Sequence, residues 1–508
     1  MMSKISKQKR PVVVCAILFV VLLIAYFAVV RPLVNSGLEP EETEPLETVE
    51  GEVIGINDRY LMFPQVERKN MQSIKVENEH GTYEFYRDAN GDFQIRGFEG
   101  TSFDLTKFSS LVTSCGYTLA KVKVVDNATD AELQEYGLDK PAASWTLTTL
   151  TGQQYKVYVG YDLLTGGGYY CMLEGRRSVY VLDTSLKDTV LGPIENLCSP
   201  ILLAGITQQD YFEIDKFTVM HGEELLCSFK IVDKAEQNNP DALVENRMTY
   251  PAPYFPNEDV LYDIYYRFMS LSGTSVMKLG VTDADYEKYG LVNPAHTVYF
   301  EFKGAQVMLL FSEKQEGGFY YAASSLFPDT VVSIDAATVD FLDYGLIDWI
   351  TDYPFQQWIT AVSAVEVKGS GADVKFEMTH GIVGENTATL DVQCSNGLYI
   401  KNEDVYNFRQ FYKTLLSIAI QDYADLTEDE IKKLTSDEKN NILTFTLTNL
   451  AGEKTVYRFY PYSGTGRRAL MTVNGEGEFY VQTDLIEKIA SDANKVLSGL
   501  DINSYGKN

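Results

Sequence analysis

From Ser73 to Gly97 the chain reads SIKVENEHGTYEFYRDANGDFQIRG, and its apolar positions alternate with polar ones. Ile74 and Val76 form one alternating run and Tyr83 and Phe85 another, with Asn90-Gly91 breaking the pattern after them. A period of two places every second side chain on one face of a strand, so this stretch predicts an antiparallel meander. The same pattern recurs in Ser144–Gly160, with a turn at Thr151-Gly152, and in Ile442–Tyr460, with a turn at Ala451-Gly452. Elsewhere the spacing becomes helical. Val260, Leu261, Ile264, Tyr265 and Phe268 share one helix face after an Asn257 cap, and Val405, Phe408, Phe411, Tyr412 and Leu415 do so after Asn402. Strand-to-helix transitions are also expected at Ser178–Leu191 and Glu478–Ala490, each closing with a helix.

One short phrase is written almost twice. TDAELQEYGL runs from Thr129 to Leu138 and TDADYEKYGL from Thr282 to Leu291, and each is followed by a Pro-Ala pair at Pro141 and Pro294. Thr129 with Glu132 and Thr282 with Asp285 have the spacing of a capping box. Gly137 and Gly290 suit the left-handed residue that ends a helix, and the prolines prevent its continuation. The phrase therefore predicts a helix of about two turns with its own start and stop signals. Its carboxylates cap backbone N–H groups. GGYY at Gly167–Tyr170 and GGFYY at Gly317–Tyr321 follow in the same order. A more distant match carries Asn257–Val260 to Asn402–Val405 and Thr282 to Thr427, where Glu430 completes a third box. The expected class is α+β: three tandem repeats of antiparallel sheet plus helices, at 60–210, 211–357 and a diverged 358–500.

Ahead of the repeats, Pro11 to Val30 is a charge-free apolar run of 20 residues. That length spans a hydrocarbon core of about 30 Å. Lys4, Lys7, Lys9 and Arg10 precede it, so residues 1–10 are expected to stay cytoplasmic as a basic tail. Residues 11–30 then form a single-pass signal-anchor at the cell membrane, with the bulk of the chain extracytoplasmic. Residues 31–59 read as an acidic, self-repelling linker.

Charge narrows the partners. The whole chain carries a formal −28, and beyond Arg31 it has 38 Lys+Arg against 71 Asp+Glu. Such a surface repels phosphate backbones and anionic lipid headgroups. The six cysteines form no CxxC and are irregularly spaced, which predicts buried free thiols; a Cys171–Cys198 bridge stays open.

Chemistry is sparse. The four histidines, His80, His221, His296 and His380, show no metal-ligand spacing, and the hydrolase, P-loop and dinucleotide signatures are absent. No catalytic, cofactor-binding or metal residue is assigned. Ser436 and Lys439 fit Ser-x-x-Lys only formally, and SGTGRR at Ser463–Arg468 reads as a hairpin loop. Asn127 opens an NAT sequon whose Thr129 is already the cap. The chain has 34 Tyr and 26 Phe beside 3 Trp. Most suit strand packing, and Arg247–Val260 is the best candidate for an aromatic binding surface.

YGLDKPAASWTL at Tyr136–Leu147, GGGYYCML at Gly166–Leu173 and SVYVL at Ser178–Leu182, behind an N-terminal anchor, resemble the bacterial domain of unknown function family 4340. YGLVNPAHTVYF with GGFYYAAS carries the resemblance a second time. It implies an accessory envelope role beside ABC transporters of the gliding-motility type, and it supplies no catalytic residues. The expected function is thus a non-enzymatic, membrane-anchored extracytoplasmic scaffold or accessory protein with membrane or envelope partners and no nucleic acid. The alternatives are a cell-wall or glycan-binding envelope protein and a hydrolase with dispersed acidic residues.

Overall fold

The computed structural model describes residues 47–205, 214–232, 245–302, 304–383, 387–462 and 466–503. The basic tail, the apolar run Pro11–Val30 and the linker up to residue 46 lie outside these. Among the described residues no helix is long and apolar enough to cross a membrane. By its contacts the chain divides into two compact units. One runs to Arg96 and resumes at Thr106–Gly192; the other takes Gly97–Leu105 and everything from Pro193 on.

The fold is α+β, with antiparallel sheets throughout. In the first unit the large sheet runs, strand by neighbouring strand, Phe93–Ile95, Gly81–Arg87, Met71–Asn78, Ala143–Thr149, Gln154–Asp162, Tyr169–Leu173, Val179–Leu182, Val122–Val125. The second unit holds two large sheets. One runs Glu245–Tyr250, Glu224–Val232, Ile214–His221, His296–Phe302, Ala305–Phe311, Phe319–Ser324, Phe327–Asp335, Ser275–Leu279. The other runs Tyr399–Ile400, Thr387–Cys394, Ala372–Val383, Val362–Gly369, Leu443–Asn449, Lys454–Pro461, Arg468–Val473, Glu476–Gln482, Asp422–Tyr423.

All three sheets follow one order. An opening meander steps outward from the centre. The chain then crosses to the far edge for one short strand and returns to the centre, where a second meander pairs beside the first. The last sheet adds one short outer strand.

Two helices make the crossing in each case. The first is α1 (Leu105–Gly116), α3 (Glu258–Phe268) or α5 (Tyr406–Leu416), and it lies against the sheet by an apolar stripe. Phe108 meets Phe85 with ring centroids 5.3 Å apart, Phe268 meets Phe300 at 5.1 Å, and Phe408 meets Phe376 at 5.2 Å. The second is the short capped helix: α2 (Asp130–Glu135), α4 (Asp283–Lys288) or α6 (Glu428–Ser436). It connects the far-edge strand back to the centre. In the first sheet the helix-covered face buries Ile74, Phe85, Trp145, Leu147 and Val157. On the opposite face Lys75, Glu77 and Lys156 form an ion-paired row, while Tyr158, Tyr170, Met172 and Val179 on the later strands make an apolar patch packed with Leu138 and Ala128.

Three local expectations change. Asn257 caps α3 by accepting the Val260 N–H, but Asn402 does not cap α5; its side chain accepts the Leu390 N–H on a neighbouring strand. The closing helix after Leu182 is a single 3-10 turn, Thr184–Lys187, whereas α7 (Thr483–Ser498) is a full helix. Ile486, Ile489, Ala490, Ala493 and Val496 sustain helical periodicity there until Gly499, while Gly192-Pro193 ends the shorter stretch. Finally, residues 47–59, expected in the linker, are tied to the first unit at Glu52, although Val53, Ile54 and Ile56 stay exposed. The Glu52 side chain is fully buried and bonded to Lys123, and it accepts the Tyr180 hydroxyl.

Candidate functional site

The repeated phrase is built as a capped helix. The Thr129 N–H donates to the Glu132 carboxylate (2.7 Å), and the Glu132 N–H donates to Thr129 Oγ1 (3.3 Å). Thr282 with Asp285 and Thr427 with Glu430 make the same reciprocal pair. The N–H and hydroxyl donated by each Thr hold the carboxyls of Glu132, Asp285 and Glu430 below the usual carboxylate range. Gly137 and Gly290 adopt φ of 71° and 70° and end the helices. Where that glycine and the following proline are missing, α6 runs to nine residues instead of six.

The structure also joins the two repeated phrases. Tyr136 of YGL lies on Tyr170 of GGYY, and Tyr289 lies on Tyr321 of GGFYY. Around them Leu138, Ala128 and Val179 form a satellite core in the first unit, and Leu291, Ala323 and Val331 form its counterpart in the second.

A cleft of about 530 Å³ opens in the first unit. Four segments line it: Val49–Gly51, Phe63-Pro64 with Gln153 and Tyr155, Asp126-Asn127, and Leu173–Ser178. Tyr155 forms an aromatic wall, backed by buried Phe63 in a stack at 4.2 Å. The carboxylate of Glu52 fixes the near rim: it accepts the Val49 N–H (2.8 Å), the Lys123 ammonium (3.2 Å) and the Tyr180 hydroxyl. Burial and that bond push the Tyr180 hydroxyl well above its ordinary pKa.

Two arginines enter the cleft. Arg177 is spent on the Ala128 carbonyl and the Asp130 carboxylate. Arg176 donates one Nη to the Met62 carbonyl, while its other Nη is buried with no acceptor. On the far wall Glu174 accepts the Tyr158 hydroxyl at 2.7 Å, and that bond, helped by burial, pushes the phenol pKa up to about 12. Sequence reasoning missed this cleft, because its four segments are far apart in the chain. The one local signal is the doublet Arg176-Arg177 in a turn after GGGYYCML.

The structure unites a second pair that sequence spacing hid. His221 and His296 face each other across paired strands with ring centroids 4.9 Å apart. His221 Nε2 and His296 Nδ1 are buried without partners. Beside them Tyr320 donates to Asp343 (3.1 Å), which pairs with Lys314 (2.9 Å). Among the described residues no group of three His, Cys, Asp or Glu could hold a metal ion.

The other sequence candidates are placed as follows. The Ser436 hydroxyl is bonded to the Lys433 carbonyl in its own helix. Residues 463–465 of SGTGRR lie outside the described residues. Arg247–Val260 does not present an aromatic surface. Within the second unit Tyr254 is only 3% exposed and packs on Phe479, and Arg247 pairs with Glu453; Tyr250 alone stays exposed. Tyr254 reaches the other large sheet of that unit, a role that local sequence cannot distinguish from exposure. Cys115, Cys171, Cys198, Cys227 and Cys394 are all free and buried, and Cys15 lies outside the described residues. Burial pushes the Cys198 thiol up to about 12 and the Cys394 thiol up to about 11.

Residues 112–272 match the family described as Domain of unknown function (DUF4340). The family resemblance carried by YGLDKPAASWTL and GGGYYCML thus holds over that segment. No curated protein and no solved structure matches the chain.

Proposed function

We propose that this is a non-enzymatic, membrane-anchored extracytoplasmic scaffold, an auxiliary component of an ABC-type transporter of the gliding-motility kind. In this reading it carries three tandem copies of one unit, at 60–210, 211–357 and 358–500. The observation that carries the reading is the single strand order followed by all three large sheets. The residues that recur with it are spent on folding. Thr129, Thr282 and Thr427 start helices, Gly137 and Gly290 stop them, and Tyr136 and Tyr289 pack on their partner tyrosines. A duplicated enzyme would be expected to repeat its acid or nucleophile; here the repeated acids cap backbone N–H groups. Pro11–Val30 supplies the anchor in this reading, with the N-terminus cytoplasmic. The ion-paired row of Lys75, Glu77 and Lys156 on the first sheet offers a polar surface for envelope partners in this reading.

Affinity purification of the full chain from membranes in mild detergents tests the proposal. Co-recovery of a membrane-embedded transporter subunit is expected. Recovery of the chain alone in every detergent, or retention on purified cell wall in place of a membrane partner, contradicts it.

A further inference from the structure

We infer that the cleft of the first unit binds a ligand bearing one carboxylate beside an apolar group, with Arg176 receiving the carboxylate and Tyr155 the apolar part. The cleft is not a by-product of the shared fold. The turn that carries Arg176 spans five residues, Glu174–Ser178, between its two strands. At the same place in the other two sheets the turn is two residues, Ser325-Leu326 and Asn474-Gly475. The extra length brings Arg176 and Arg177 to the cleft, and nothing in the folding of the other sheets requires it.

The charges select the ligand. Arg177 and Lys123 are already paired with Asp130, Glu52 and Asp126. Arg176 has no ion-pair partner among the described residues, and one of its Nη groups is buried with no acceptor. A buried charged donor without an acceptor is unfavourable, and a carboxylate oxygen satisfies it with a charge-assisted bond. Glu50, Asp126 and Glu174 also line the cleft, so a dianion such as phosphate is repelled where a single carboxylate is tolerated. Pro64, Tyr155 and Leu173 supply the apolar wall, and the volume of about 530 Å³ accommodates an amino-acid-sized group. The same chemistry is offered by a free acylated amino acid and by the C-terminal residue of a peptide.

Calorimetric titration of the full chain in detergent tests this. The probes are N-acetyl-phenylalanine, its C-terminal amide, a tripeptide ending in phenylalanine with a free carboxylate, and inorganic phosphate. Saturable binding of at least one carboxylate probe is expected, with none of the amide and none of phosphate. The tighter of the two acids identifies the source. Arg176→Gln is expected to weaken the acid by about tenfold or more while its melting shows the chain still folded. No saturable binding of either acid to the unaltered chain by about 10 mM, the weak end of specific recognition, overturns the inference. So does equal binding of acid and amide, or phosphate binding as tightly as the acid. Because the amide control uses the unaltered chain, the test stands even if the Arg176 variant does not fold.

Discussion

Tyr136 packs on Tyr170 with ring centroids 4.6 Å apart, joining two phrases that lie more than thirty residues apart in sequence and recur together as Tyr289 on Tyr321 at 4.9 Å. The pair fixes the short capped helix to the strand after the glycine-rich turn. A double-mutant cycle of Tyr136→Ala and Tyr170→Ala should therefore give a coupling of about 0.5–1.5 kcal/mol. Additive effects on unfolding would mean that the rings touch without stabilising each other.

The two stop glycines should differ. Both hold left-handed φ, so Gly290→Ala should cost about 1–2 kcal/mol from backbone strain alone. A Cβ there would meet nothing nearer than Ser312 at 3.6 Å. At Gly137 a Cβ would also come within 2.7 Å of the Tyr161 ring, so Gly137→Ala should cost more. Denaturant unfolding of the two variants decides the order, and an equal or reversed order would show that Tyr161 swings aside freely.

Glu52 holds residues 47–54 to the first unit through Lys123 and Tyr180. Removing one partner of a buried pair leaves the other charge uncompensated, so Lys123→Met should destabilise by on the order of 3–5 kcal/mol. Limited proteolysis should then cut before Ile54 much faster than in the unaltered chain. Unchanged cleavage would show that this strap is held by something other than the ion pair.

His296 sits below its ordinary pKa of 6.5, first because it is buried and then because His221 faces it; Asp343 and Glu313 oppose the shift, and Lys314 adds to it. The folded state therefore favours the neutral ring, while the unfolded chain takes up its proton near pH 6.5. Stability contributed by this site is present above pH 6.5, is lost as pH falls towards the depressed folded value, and changes no further below it. Melting followed between about pH 8 and pH 5 should decline in that window, and His296→Asn should flatten the decline. An unaltered slope in the variant would assign the acid sensitivity elsewhere.

How far these features could be read in advance depended on how close in sequence their parts lie. The capping boxes were legible because Thr129 and Glu132 are three residues apart and each half has a fixed chemical role. The meanders were legible because strand periodicity is local. The Glu52 clamp was not: its partners Lys123 and Tyr180 lie 71 and 128 residues away, and in the acidic run Glu52 looks like its neighbours. The cleft at Arg176 and the His221–His296 pair were hidden for the same reason, since sheet pairing creates both. Tyr254 misled because an aromatic that bridges two sheets and one that meets a partner share the same local sequence.

The most direct test of whether the repeated phrase is architecture or chemistry is Thr129→Ala in the full chain, read by thermal unfolding and by retention of the proposed membrane partner in the same preparation. Loss of one cap should lower stability by about 0.5–2 kcal/mol and leave partner retention intact well below the melting temperature. Unchanged melting with the partner lost would show that the phrase is itself a functional site.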